Sequence, residues 1–282
     1  MRFGLVANRL HRETAHGGLA YWAQRCDPGV RTLQLELQVV GGTYDALVNL
    51  RLLQGHSGLF KLPYGAEGGV MRLASRVAGG LSEAQALDGA IYLIDPVDAS
   101  SMYPEAVALK RQCVIHGKPF IATVAGAVEW IAVEMVHAGL LPQQPLPSPE
   151  GQTVALIAHD AFKSRMVEFA SDHFDLLSRY SHRVGTGTTG ARLNEMAVSR
   201  GWPADQPWVE RDLSGPMGGD AQIAERVLER RCHKVIFFED PHVARQHEAD
   251  IQLLERAVCS ATFDTSCFNS PAMAERWATA MK

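Results

Sequence analysis

An α/β protein of two tandem, doubly wound parallel-sheet domains is what the sequence predicts, on three observations. Short apolar runs alternate with stretches of helical spacing, a pattern that calls for parallel strands joined by crossover helices. Residues Leu141 to Gln152 read LPQQPLPSPEGQ, and four prolines in so short a stretch favour an extended, stiff connector. The two flanking halves then repeat one another in order, at a spacing of roughly 145–150 residues, as a duplicated domain does and a short-period solenoid does not. The expected organisation is therefore a domain over 1–141, a linker over 142–152 and a domain over 153–282.

The repeat runs along the whole chain. Phe3-Gly4-Leu5-Val6-Ala7 pairs with Val154-Ala155-Leu156-Ile157-Ala158, each a buried first strand. Gly42-Thr43-Tyr44 pairs with Gly187-Thr188-Thr189. Gly68-Gly69 and its helix through Ala74 and Val77 pair with Gly218-Gly219 and the helix through Ala224 and Val227. Ile91 to Pro96 pairs with Ile236 to Pro241, and Arg111 with Arg256. In the second half the spacing predicts a strand over Val154–Ala158, a helix over Phe162–Ala170, a strand over Val235–Phe238 and a helix over Ile251–Val258. In such sheets chemistry gathers at the carboxyl edge, where strands end and helices begin.

The chain has 282 residues, of which 46% are hydrophobic and 21% charged, so two cores can be filled. A net charge of -4 argues against nucleic acid or an acidic membrane surface as partner, and leaves an anionic small molecule open. The first residues, MRFGLV, form too short an apolar run for a signal peptide and read as a strand. Phe120 to Leu141 is broken by Glu129, Glu134 and His137, so a buried strand and helix are expected there and not a membrane span. Five cysteines, with no CxxC pair, point to free thiols in a reducing compartment, and so to the cytoplasm.

Four segments of the second half carry chemistry. His159-Asp160 directly follows the first strand, with Lys163 one helical turn later, offering a cation for phosphate. The plain alternative is a capping Asp160 and a solvated Lys163. Gly185-Thr186-Gly187-Thr188-Thr189-Gly190 precedes a helix expected near Ala191; hydroxyls and open amides at a helix start bind anions. Ser214-Gly215-Pro216-Met217-Gly218-Gly219-Asp220 precedes a helix expected over Ala221–Arg230 and adds a carboxylate beside a second anion nest. A cap needs one Asp or Ser and not the surrounding glycines and proline. A carboxylate next to bound phosphate has its pKa raised toward that of a useful general base. Phe238-Glu239-Asp240-Pro241 is followed by His247 and Asp250. A histidine close to a helix start is held neutral by the dipole, and a neutral imidazole can donate to an enediolate. His182, His233 and His242 read as surface histidines. His242 with His247 lacks a third ligand, so no metal is expected.

Together the phrases IAHDAFK, TGTTG, LSGPMGGD and FFEDP, with His247, Asp250 and Arg256, resemble the methylglyoxal synthase family, in family order and spacing. The resemblance implies a Rossmann-like fold and a carbon–oxygen lyase that turns dihydroxyacetone phosphate into methylglyoxal and inorganic phosphate, without cofactor. It implies that Lys163, Thr186, Thr188, Thr189, Ser214 and Gly215 hold phosphate. Asp220 is implied as the base, and His247, positioned by Asp250, as the group serving the enediolate. His159, Asp160 and Asp240 would line and polarise the pocket. The family also implies a homo-oligomer. Past Arg256 the resemblance thins: Phe263-Asp264-Thr265-Ser266 stands where the family has an Ala-Thr-Asn-like strand end. The family's later arginine has no counterpart before Lys282, so affinity or assembly is expected to differ.

The first half resembles the fold but not the site. Asn8, Arg9, Tyr44, Val70 and Met102 stand at the positions of His159, Asp160, Thr189, Asp220 and His247, while Arg12 replaces Lys163 and Asp95 is kept. A valine takes no proton, so this half is expected to be non-catalytic, serving as a structural partner or as an anion site on Arg12, Thr43 and the Gly65/Gly68/Gly69 loop. Two other functions share the fold: a phosphometabolite sensor, and an enzyme of the inosine monophosphate cyclohydrolase type. Asp220 with His247 favours the lyase, since a sensor requires neither.

Overall fold

The computed structural model describes residues 1–102, 104–242 and 248–282. Two compact units, Met1–Leu146 and Pro147–Lys282, make up the chain. Between Ala138 and Gln152 there is no helix or strand.

The first unit runs β1 (Arg2–Ala7), α1 (Arg9–Arg12), α2 (Gly18–Thr32), β2 (Glu36–Val40), α3 (Gly41–Asn49), β3 (Leu59–Leu62), α4 (Gly69–Val77), β4 (Gly89–Leu93), α5 (Pro104–Ile115), β5 (Phe120–Ile121) and α6 (Val124–His137). The second runs β6 (Thr153–Ala158), α7 (Lys163–Asp172), α8 (Phe174–Ser178), β7 (His182–Gly185), α9 (Gly187–Ser199), β8 (Glu210–Arg211), α10 (Gly219–Leu228), β9 (Lys234–Phe238), α11 (Glu248–Ser260), β10 (Ser266–Phe268) and α12 (Pro271–Ala280). The sheets are ordered β3-β2-β1-β4-β5 and, in the same sense, β8-β7-β6-β9-β10, with every pair parallel. The order reverses beside the central strands β1 and β6, the switch point at which open α/β sheets leave a crevice.

Unbroken burial explains the central strands: β4, β6 and β9 are buried at every residue, so helices cover both faces. In the first unit α2 packs on α6 and α4 on α5; in the second α10 packs on α11 and α7 on α9 and α12. One core of the second unit joins Ala155, Ile157, Val184, Ile223, Val227, Val235 and Phe237 to the apolar face of α11.

The structure moves three sequence expectations. The helix expected near Ala191 begins at Gly187, because Thr186 is the extended N-cap and Gly190 N–H already donates to its carbonyl at 2.8 Å. Thr188 and Thr189 are thus first-turn residues of α9, not loop residues. The helix expected from Ala221 begins at Gly219, so Asp220 also lies in a first turn. The strand end expected at Phe263–Ser266 falls at Phe268, followed by Asn269 and the N-cap Ser270, since the residues before it are spent on a turn closing α11.

The repeat register shifts as well. Leu5 pairs with Val39, and Leu156 pairs with Gly185. The N-caps Val40 and Thr186 therefore correspond, and Thr43, not Tyr44, stands opposite Thr189. The sequence match was one residue out because a shared Gly-Thr pair is satisfied in either register.

Two histidines carry pH dependence. His11 is buried, its Nε2–H donating to the Ile94 carbonyl at 3.1 Å; burial lowers its pKa, against that bond and the Asp95 charge, which raise it. Burial likewise lowers that of His233, whose Nδ1 accepts the Thr153 N–H. As pH falls below about 6.5, the unfolded chain takes up these protons before the folded one, so stability falls. The midpoint of thermal unfolding should drop on going from about pH 7.5 to about 5, and His11→Gln should flatten that drop. Parallel curves for the two proteins would count against His11.

Candidate active site

The carboxyl end of β6 supplies the first wall. His159 leaves the strand in an extended conformation, and its Nδ1 accepts the Asp240 backbone N–H at 2.8 Å. An accepting Nδ1 leaves the neutral imidazole with its hydrogen on Nε2, a donor. The ring stands edge-on to Phe237 at 4.9 Å between centroids, which fixes its tilt. Asp160 is the first residue of a short 3-10 turn whose N-cap is His159. Lys163 Nζ sits 2.5 Å from Asp160 Oδ1, and its side chain is only 16% exposed against 82% for the carboxylate. The lysine is therefore drawn inward, not solvated.

Two helix starts supply the second wall. Gly187 N–H donates to the Leu213 carbonyl at 3.0 Å, which ties the start of α9 to the segment that leads into Ser214. A Cβ on Gly187 would lie 2.8 Å from Ser214 N, so glycine alone permits that approach. The amides of Thr188 and Thr189 precede the first intrahelical bond, made by Gly190, and meet no backbone acceptor among the described residues.

Ser214 N-caps the 3-10 turn Gly215–Met217, which ends at Gly218 with φ of 98°. That left-handed conformation is open to glycine at little cost. Gly219 then starts α10, and a Cβ there would lie 1.9 Å from the Leu213 carbonyl oxygen. The double glycine turns the chain so sharply that Asp220, 3% exposed, is carried under the bend.

These elements enclose a cavity of about 280 Å³, lined by Ile157, Ala158, His159, Asp160, Lys163, Thr186, Thr188, Ser214, Gly215, Pro216, Asp220 and Phe237. Its size sits near the low end of small-molecule pockets, roughly 300 Å³, so it suits a ligand of a few heavy atoms. Eight of the residues singled out from sequence meet here. Three do not line it. Thr189 is buried beneath the first turn of α9, and its hydroxyl meets no hydrogen-bond partner among the described residues. Asp240 is half-buried and accepts the His242 N–H at 3.0 Å while its own amide holds His159. Asp250 is half-buried near the start of α11. His247 lies outside the described residues.

Ile157 and Phe237 escaped sequence reasoning because they read as core. They are register partners on neighbouring strands, so they share one sheet face at its carboxyl end, a signal contained in the period of two. Among the described residues, no group of three or more His, Cys, Asp or Glu is placed to hold a metal, and no helix is long and apolar enough to cross a membrane.

No family model matches the chain. A methylglyoxal synthase of Thermus thermophilus is 49% identical to it over 109 residues, 39% of this chain and 79% of that relative. The chain belongs to the methylglyoxal synthase family. A methylglyoxal synthase of Clostridium beijerinckii is 43% identical over 107 residues, 38% of this chain and 82% of its own. Among solved structures, that of methylglyoxal synthase from Elizabethkingia anophelis is 31% identical, covering 45% of this chain and 76% of its own at a TM-score of 0.36. Each of these methylglyoxal synthases thus matches less than half of this chain.

The bend that buries Asp220 is open to test. Gly219→Ala forces the new Cβ off the Leu213 carbonyl and should cost about 1–3 kcal/mol, as overpacking does. Urea denaturation of the second unit's transition would reveal it. A variant as stable as the parent would mean the bend relaxes freely.

Proposed function

We propose that the second unit is a lyase that converts dihydroxyacetone phosphate to methylglyoxal and inorganic phosphate. The support is a single cavity lined both by a buried carboxylate, Asp220, and by an anion cradle of Thr186, Thr188, Ser214, Gly215 and Lys163. A sensor needs the cradle alone.

In this reading the phosphate lies at the converging starts of α9 and α10, where open amides and helix dipoles favour negative charge. Lys163 adds a full cation and Thr189 backs the turn. Asp220 removes a proton from the hydroxymethyl carbon alpha to the carbonyl. Bound phosphate and burial both raise the carboxylate's affinity for that proton. The resulting enediolate carries its charge on the former carbonyl oxygen, within reach of the Nε2–H of a neutral His159. His247 is assigned to shuttling protons on the enediolate, with Asp250 orienting it. Asp160 and Asp240 shape the pocket, the latter through its amide on His159. Loss of the hydroxyl proton then lets the electron pair move toward the phosphate-bearing carbon. The carbon–oxygen bond to phosphate breaks, its electrons leave with phosphate, and the enol of methylglyoxal tautomerises to the product.

The first unit is assigned no turnover. Val40 and Val70 stand where Thr186 and Asp220 stand, and both join a core cluster with Val6, Leu62 and Tyr92. Tyr64 takes the place of Ser214, its ring 2.8 Å from the Cβ position of Gly41. Asn8 reproduces one contact of His159, its Oδ1 accepting the Asp95 N–H at 3.0 Å. Apolar packing of this edge favours the structural-partner role over an anion site.

Incubation of the full chain with dihydroxyacetone phosphate should release phosphate and methylglyoxal in equal amounts; release of neither would end this reading. Asp220→Asn should lower turnover at least about 10²-fold, as loss of a general base does. Val70→Ala should leave turnover within about twofold where the protein is folded, since removing two methyl groups from the core acts on stability.

A further inference from the structure

We infer that Arg226, clamped to Asp212 and Glu210, is a positioning residue that holds the base helix α10 in register with the anion cradle. The inference rests on the lyase reading of this cavity. Arg226 lies on α10 six residues beyond Asp220, roughly 9 Å along the axis at about 1.5 Å per residue. Its Nη2 donates to Asp212 Oδ1 at 2.9 Å and to Glu210 Oε1 at 2.7 Å.

The other end of this clamp is the cradle itself. Asp212 N–H donates to the Gly185 carbonyl at 3.0 Å, and Arg211 Nε donates to the Gly187 carbonyl at 3.2 Å. Leu213 accepts from Gly187 N–H and donates its own N–H to Gln222 Oε1 of α10 at 2.8 Å. The stretch 210–214 is thus spliced between the start of α9 and the body of α10. Of these polar links to the 210–214 stretch, the one at Arg226 lies farther along the helix from the base than the one at Gln222. Asp212 has a side chain only 7% exposed, and its second oxygen meets no hydrogen-bond partner among the described residues. A carboxylate so placed depends on its arginine, and breaking a desolvated pair of this kind loosens what it joins. The hydrogen bond that Arg226 donates to Asp212 is the largest reason that it holds its proton more tightly than an ordinary arginine.

The first unit separates positioning from folding. It forms the same bend, with Gly68 at φ of 84° and a Gly69 Cβ position 2.2 Å from the Pro63 carbonyl, followed by α4. At the place of Asp212 it carries Leu62, and Arg76, at the place of Arg226, bonds instead to Gln38 of β2. The helix and its bend therefore form without the clamp. The clamp is found in the unit that keeps a carboxylate under the bend and is missing from the unit that has Val70 there. Proton transfer tolerates errors of only about 0.5 Å, which gives a rigid α10 a use that folding does not require.

The test uses the full chain with Arg226→Ala, Asp212→Asn and Arg226→Lys, assayed well below their unfolding temperatures. For the first two, kcat for dihydroxyacetone phosphate should fall about tenfold or more, corresponding to about 1.4 kcal/mol. KM and the inhibition constant of inorganic phosphate should stay within twofold, since Lys163, Thr186 and Thr188 lie off α10 and keep their places. Arg226→Lys should recover most of kcat. An unchanged kcat, or a loss carried by KM, overturns the inference. If the wild-type chain makes no methylglyoxal, the lyase reading fails instead. The clamp is then read by hydrogen exchange with inorganic phosphate present. Faster exchange at residues 219–224 of Arg226→Ala, with 187–190 unchanged, supports it, and unaltered exchange at 219–224 refutes it.

Discussion

The backbone of Gly219 passes so close to the Leu213 carbonyl that no side chain fits between them. Gly187 passes Ser214 almost as closely. These two approaches let α9 and α10 both begin at the carboxyl edge of one parallel sheet, against the same short segment. Helix starts are where backbone donors go unpaired, so their convergence concentrates positive potential in one small cavity. Every polar group of the candidate site borrows from that arrangement. Lys163 is drawn inward, the threonine hydroxyls flank the open amides, and Asp220 is buried beneath the bend.

The same scaffold occurs twice with opposite contents. In the second unit the carboxyl edge presents Thr186, Ser214 and Asp220 to a cavity. In the first, Val40, Tyr64 and Val70 stand at these places, and two of them belong to a hydrophobic cluster. Both units keep the glycine bend and the backbone contact that Asn8 and His159 share. The bend is thus a requirement of the fold, and chemistry is an occupant of it. An apolar occupant adds buried area, whereas a polar one leaves donors to be satisfied by a ligand.

Much of this was legible in the residues. Unbroken apolar runs marked β6 and β9, and the alternation with helical segments implied parallel pairing. SGPMGGD marked the bend, because two adjacent glycines before an aspartate serve no helix that merely needs a cap. Other features misled. The glycine–threonine run was read as a loop, although four of its residues belong to α9, since its small residues suit a turn and a helix start alike. Ile157 and Phe237 read as core while their chain positions place them on the cavity wall. Asp212 lies in a loop and Arg226 in α10, fourteen residues on, so no single periodic pattern joins them.

The sequence by itself determined the class of fold, the repeat and the identity of the chemical groups, since local periodicity and glycine stereochemistry depend on near neighbours alone. The tertiary structure decided which of those groups meet. His159 with Lys163, Thr188, and Ser214 with Asp220 come from separate stretches of the chain and line one cavity because crossovers return each helix start to the same sheet edge. It also decided the register between the units, which hydrogen bonding across strands settles and composition does not.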